Sequence, residues 1–236
     1  MQAKGILFDK DGTLFDFAAT YAPATSGVLR ALAGNEEIAS RLGEAAGFDL
    51  ARQTFHNASV IIAGTAKDMA DLWAPMLGLT GDRQLASRID QLYEVHARRS
   101  IALFDTTAAC LDALGRAGIV VGLATNDSEA NGKAHLAAGG IARHFSFVAG
   151  YDSGHGAKPG PGMILAFADH CKSAPAHTVM VGDSLHDLHA ARAGGAVGVG
   201  VTTGFASAVE LAPHADHVIA SLQELLALPM ICNPRR

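Results

Sequence analysis

Apolar positions along this chain follow two different rhythms. The run Gly5-Ile6-Leu7-Phe8 is too short for a helix and suits a buried strand. Similar runs return at Ile119 to Ala124, Phe145 to Ala149, Thr178 to Val181 and Ala196 to Val201, with a shorter one at His217 to Ile219. Helical spacing fills the intervals: Leu111 and Leu114 ahead of Gly118, then residues near 161–171 and 186–193, and finally Leu222 to Leu228. Strands alternating with helices predict an α/β fold, a Rossmann-like, doubly wound parallel sheet. Right-handed crossovers would bring the carboxyl ends of all its strands to one edge.

Between about Asp16 and Ser100 the strand rhythm disappears and the spacing is helical throughout. Pro23 suits the first turn of a helix carrying Val28, Leu29 and Leu32. Asn35 is placed to cap a helix from Glu36 to Ala46, which Gly47 ends. Thr65-Ala66-Lys67-Asp68 has the spacing of a capping box, ahead of Met69, Leu72, Trp73 and Met76 on one face. Leu85, Ile89, Leu92 and His96 mark a fourth helix. The expected division is therefore a core from residues 1–15 and 101–236, interrupted by an all-helical insertion over 16–100.

Composition narrows the function. Apolar residues make up 49% of the 236 positions and charged residues 17%, the balance of an ordinary globular protein. The net charge of −5 and the lack of any Lys/Arg-rich block speak against nucleic acid as a partner. Cys110, Cys171 and Cys232 are scattered and show no Cys-x-x-Cys spacing, so neither a disulfide framework nor a zinc site is expected. The segment ahead of Asp9 is too short for a signal-peptide core, and no run approaches membrane-spanning length. A cytoplasmic protein with no membrane partner is the expectation.

The candidate chemistry begins where the first strand stops. Asp9 and Asp11 are two residues apart, so in an extended chain both carboxylates can face one pocket while Lys10 points elsewhere. Two such acids repel unless a cation or a shared proton relieves them. Three more polar clusters stand at strand ends or in the loops after them: Thr125-Asn126, Lys158-Pro159 and Gly182-Asp183-Ser184-Leu185-His186-Asp187. Taken in order, the four resemble the motifs of the haloacid dehalogenase superfamily: Asp-x-Asp-Gly-Thr, a Ser or Thr after a strand, a Lys, and Gly-Asp-x-x-x-Asp. Each motif alone is weak, and the ordered set is specific.

That resemblance implies an enzyme with a Mg²⁺ cofactor. Asp9 would be the nucleophile that forms an aspartyl phosphate, and Asp11 the general acid and then base. Mg²⁺ favours hard oxygen ligands, here Asp9, the backbone carbonyl of Asp11, and Asp183. Thr125, Asn126 and Lys158 would bind phosphate, and Asp187 would orient Lys158 or reach the metal through water. An acid at position 11 favours phosphoryl transfer over dehalogenation. Lys10 departs from the usual apolar residue between the two acids and is expected to find a partner on the other face. His155, His186 and His189 fall near the site, but imidazole is a poor Mg²⁺ ligand.

A helical insertion directly after the first motif looks like a C1-type cap, a lid that excludes water and admits a small phosphate ester. Together with the stretch Gly198 to Gly204, it most resembles the phosphoglycolate phosphatase-like branch. Arg52, Lys67, Arg98 and Arg99 are candidates for substrate choice, or else plain solvated charges. The leading expectation is a phosphatase of a small monoester such as phosphoglycolate or a sugar phosphate. A β-phosphoglucomutase-like phosphotransferase and a non-catalytic phosphate-binding regulator remain open, as does the oligomeric state.

Overall fold

The computed structural model describes residues 2–56 and 59–231, so Cys232 lies outside the described residues. The chain forms two compact units, one built from the residues up to Asp16 together with those from Leu103 on, the other from Phe17–Ala102.

The first unit opens with β1 (Gly5–Phe8), all four residues of which are buried. The second unit then intervenes. It comprises α1 (Phe17–Ala33), α2 (Glu36–Ala45), β2 (Phe48–Asp49), β3 (Thr54–Phe55), α3 (Val60–Ala63), α4 (Ala66–Leu77) and α5 (Leu85–Ala97). Its core gathers Val28, Leu29, Leu42, Phe48, Leu85 and Ile89 about Trp73, whose indole N–H donates to the Leu42 carbonyl at 3.0 Å. Asn35 caps α2 by accepting from the Ile38 N–H at 2.9 Å, and Thr65 and Asp68 form the capping box of α4.

Two expectations for this unit need correction. It is not all-helical, because β2 and β3 pair antiparallel with Phe48 opposite Phe55. Two-residue strands leave too short a run for alternation to register in a sequence. Pro23 does not open a helix but lies inside α1. An interior proline forfeits one backbone hydrogen bond, yet α1 continues across it because Thr20, Ala22, Ala24, Thr25, Ser26, Val28 and Leu29 are all buried.

The first unit resumes with α6 (Thr107–Arg116), β4 (Val120–Ala124), α7 (Glu129–Ala138), β5 (Phe147–Ala149), α8 (Gly162–His170) and β6 (Thr178–Gly182). It ends with α9 (Leu185–Gly194), β7 (Val197–Val201), α10 (Ala208–Leu211), β8 (His217–Ile219) and α11 (Leu222–Leu225). The six core strands form one parallel sheet in the order β5-β4-β1-β6-β7-β8, so the expected α/β architecture stands. Leu7, Met163, Ile164, Phe167 and Met180 are fully buried in its core, and Cys110 is buried as well. Burying one such large apolar side chain is worth roughly 1.5–3 kcal/mol. Among the described residues, no helix is long and apolar enough to cross a membrane.

Strand register aligns the ends of the three central strands. Phe8 lies opposite Leu123 on one side and Val181 on the other. Asp9 therefore leaves the central strand level with the last residues of β4 and β6, and the Asp9 N–H donates to the Val181 carbonyl at 2.8 Å. The next residues on the flanking strands are Thr125 and Asp183.

Candidate active site

Lys158 is the hub of the edge where these strands stop. Its ammonium is buried and lies 2.6 Å from Asp9 Oδ1, 2.6 Å from Asp187 Oδ1 and 2.9 Å from the Ala124 carbonyl. Three acceptors match its three N–H donors. Burial alone would lower its pKa, but the charges of Asp187 and Asp9 outweigh burial and raise it, so the ammonium stays protonated.

Asp187 belongs to the first turn of α9. Its second oxygen, Oδ2, accepts from the Ser184 hydroxyl at 2.6 Å and the Ser184 N–H at 3.1 Å, which closes a capping box. One carboxylate thus caps a helix and fixes the lysine.

Asp183 sits at the end of β6 and accepts from the Thr13 hydroxyl at 3.4 Å. Two glycines make room for it. Gly12 has φ +79°, and a Cβ there would lie 2.5 Å from Asp183 Oδ2. Gly204 comes so close that a Cβ would run into the same carboxylate. The Thr203 hydroxyl donates to the Gly12 carbonyl at 2.6 Å and ties the loop after β7 to the first motif.

Asp9, Asp183 and Asp187 each offer an oxygen within 4.8 Å of the others. Burial pushes the Asp9 carboxyl up to about 6 against the pull of Lys158, with the charge of Asp187 adding to the rise. Burial, followed by the charges of Asp9 and Asp187, pushes Asp183 up to about 8. One ammonium does not neutralise three clustered acids, two of them buried, so this donor set could hold a metal ion. Both Asp187 oxygens already have partners, which leaves Asp9 and Asp183 as the freer side-chain ligands.

Thr125 is buried, and its Oγ1 accepts from the Asp127 N–H at 3.0 Å, an arrangement that leaves the hydroxyl hydrogen free to donate. Asn126 is otherwise engaged. Its side-chain amide donates to the Lys158 carbonyl and accepts from the Lys158 N–H, both at 2.9 Å. The amide therefore sets the backbone of the lysine loop.

Lys10 is fully buried as well. Its ammonium lies 2.8 Å from Asp11 Oδ2, 3.1 Å from Asp127 Oδ2 and 2.9 Å from His135 Nδ1. Among the described residues, Asp11 Oδ1 is buried with no hydrogen-bond partner.

This geometry can hold an anion against a cation-bearing acid cluster. The model of the haloacid dehalogenase-like hydrolase family matches residues 3–195. The chain belongs to that family. Curated relatives of this haloacid dehalogenase-like hydrolase include the phosphoglycolate phosphatase of Shigella boydii serotype 4, 32% identical over 94% of the chain and 91% of the relative. The phosphoglycolate phosphatase of Escherichia coli strain K12 is 31% identical over the same shares. Among solved structures, a predicted phosphoglycolate phosphatase from Haemophilus somnus superposes with a TM-score of 0.73 at 20% identity, covering 96% of this chain and 98% of that one. A HAD family hydrolase from Deinococcus radiodurans with bound phosphate and sodium gives 0.69 at 20% identity, covering 95% and 94%. Both structural likenesses speak to the fold.

Nothing in the local sequence of this hydrolase marks Asp127 and His135 as partners of Lys10, or places Thr13, Thr203 and Gly204 around Asp183 and the first motif. Thr13, Thr203 and Gly204 lie in stretches that the sequence singles out, but spacing alone assigns them no contact. Of the three histidines near the site, His189 pairs with His214 at 3.1 Å and His155 stacks on Phe147. In the inserted unit, Arg52, Lys67 and Arg98 form surface ion pairs with Asp49, Asp71 and Glu94. Such exposed pairs are worth little energetically.

Proposed function

We propose that this hydrolase is a Mg²⁺-dependent phosphatase that cleaves a small phosphate monoester through an aspartyl phosphate on Asp9. The observation that carries the proposal is the buried Lys158 ammonium, 2.6 Å from both Asp9 and Asp187 at the end of the central strand. A cation fixed there can hold the phosphoryl oxygens while aligning the carboxylate that attacks. Relatives that bear the name phosphoglycolate phosphatase support phosphoglycolate as the first ester to try.

Asp9 attacks phosphorus through its oxygen, forming an O–P bond as the ester O–P bond breaks. Asp11 gives a proton to the departing alkoxide. It then takes a proton from the water that attacks phosphorus, and Asp9 leaves as carboxylate with inorganic phosphate. The Lys158 charge and the Thr125 hydroxyl stabilise the transferring oxygens, with Asn126 and Asp187 keeping the lysine in place. Asp9, Asp183 and the Asp11 carbonyl would hold Mg²⁺, which supplies charge neutralisation between the acids and the phosphate. The inserted unit Phe17–Ala102 comes directly after the first motif, as a C1-type cap does, and we assign substrate selection to it.

The test is phosphate release from phosphoglycolate, sugar phosphates and p-nitrophenyl phosphate, with Mg²⁺ or with chelator. Release that depends on Mg²⁺ and disappears in Asp9→Asn is expected, a loss of at least about 10³-fold. Folded protein that releases no phosphate from any ester would refute the proposal.

A further inference from the structure

A lysine between two catalytic-motif acids is free to turn to either side, and here the contacts decide its direction. The Lys10 ammonium contacts Asp11 Oδ2 at 2.8 Å, and it also contacts Asp127, just ahead of α7, and His135 within that helix. Asp127 is itself fixed, because its Oδ1 accepts from the Ser128 N–H at 2.7 Å and from the Asn131 amide at 3.0 Å. An ammonium only donates, so His135 Nδ1 accepts, and the imidazole is neutral with its proton on Nε2. The imidazole edge also packs on Phe15. Lys10 therefore runs from a braced helix start to one oxygen of Asp11.

That leaves the two Asp11 oxygens unlike each other. Oδ2 is held by the ammonium, and Oδ1 is buried without a partner. A carboxyl that passes a proton to a leaving oxygen needs one defined atom within hydrogen-bond reach, and a rotating side chain would blur that placement. We propose that Lys10 is a positioning residue for Asp11: braced against Asp127 and His135, its ammonium fixes the orientation of the carboxyl that exchanges the proton. The inference rests on the phosphatase reading above.

Leaving-group dependence separates this role from simple charge balance in the interior. p-Nitrophenolate departs without a proton, whereas the alkoxide of phosphoglycolate needs one. Removing the clamp should lower kcat/KM for phosphoglycolate by ~10–100-fold, part of the range that positioned proton transfer supplies, and for p-nitrophenyl phosphate by less than about 3-fold on the same ground. The variant is Lys10→Met. Because that change leaves the half-buried Asp127 without its cation, Lys10→Met/Asp127→Leu removes both partners of the ion pair together. Each variant with a cooperative thermal melt is assayed on both esters beside the unaltered protein. A selective loss on phosphoglycolate supports the clamp. Equal losses on the two esters, or no loss on either, overturn it while leaving the phosphatase reading intact; an unaltered protein inert toward both esters overturns the clamp as stated, and one inert toward the sugar phosphates as well refutes the phosphatase reading too.

Discussion

Removing Lys158 would do two kinds of damage at one position. Asp9 and Asp187 would keep their burial but lose the ammonium 2.6 Å away, and Asp183 would face two uncompensated neighbours. Breaking a buried pair from one side costs ~3–5 kcal/mol. Lys158→Met should therefore melt well below the unaltered protein in metal-free buffer, as differential scanning calorimetry can measure, and its phosphatase turnover should fall by ~10²-fold or more. Gly12→Ala tests a different cause. The added methyl would sit 2.5 Å from Asp183 Oδ2, on a backbone of φ +79° that favours glycine. Isothermal titration with Mg²⁺ should show at least ~10-fold weaker binding, in the range seen when a ligand's supporting partners are lost.

At the scale of elements, most of the core could be read in advance because each strand is a short apolar run closed by polar residues. Asp9, Thr125 and Asp183 stand one residue beyond β1, β4 and β6, and parallel pairing in register brings those ends together. Two helix caps are equally local: Asn35 and Thr65 each accept from the backbone N–H three positions on, as the sequence spacing implies. What could not be read was anything set by packing between distant segments. Lys10 and His135 are 125 residues apart, and nothing in either local stretch names the other. Asn126 looked like a phosphate ligand because it comes just after a strand, whereas its amide is spent on the Lys158 backbone 32 residues away. The Ser184–Asp187 capping box links the two kinds of information, since a local helix cap also fixes the Lys158 ammonium. Ser184→Ala should cost about 1 kcal/mol as a lost cap. It should also reduce kcat with little change in KM, which steady-state kinetics on any accepted ester would reveal.

Over the whole molecule, the acid cluster couples stability to pH and to cations. The folded-state pKa values of Asp9 and Asp183 are raised from 3.8 to about 6 and about 8. With folded values above unfolded ones, these groups contribute stability that is complete below the ordinary carboxylate range and is lost as pH climbs through about 6 and then about 8. Metal-free protein should therefore become less stable between about pH 5 and about pH 8.5, the window set by those shifts. A divalent cation that binds the ionised cluster should restore the loss, so thermal stabilisation by Mg²⁺ should be larger at the alkaline end. A Mg²⁺ effect that is flat across the window would mean that these carboxylates are not the binding site.

The central claim is that the attacking atom belongs to Asp9, and borohydride trapping addresses it directly. Borohydride reduces an acyl phosphate to the alcohol, so quenching turnover with it would convert the phosphorylated aspartate to homoserine, which peptide mass spectrometry can place in the chain. Homoserine at position 9, formed only when ester and Mg²⁺ are both present, is the predicted result. Phosphate release without any modified Asp9, or homoserine at another aspartate, would contradict the account.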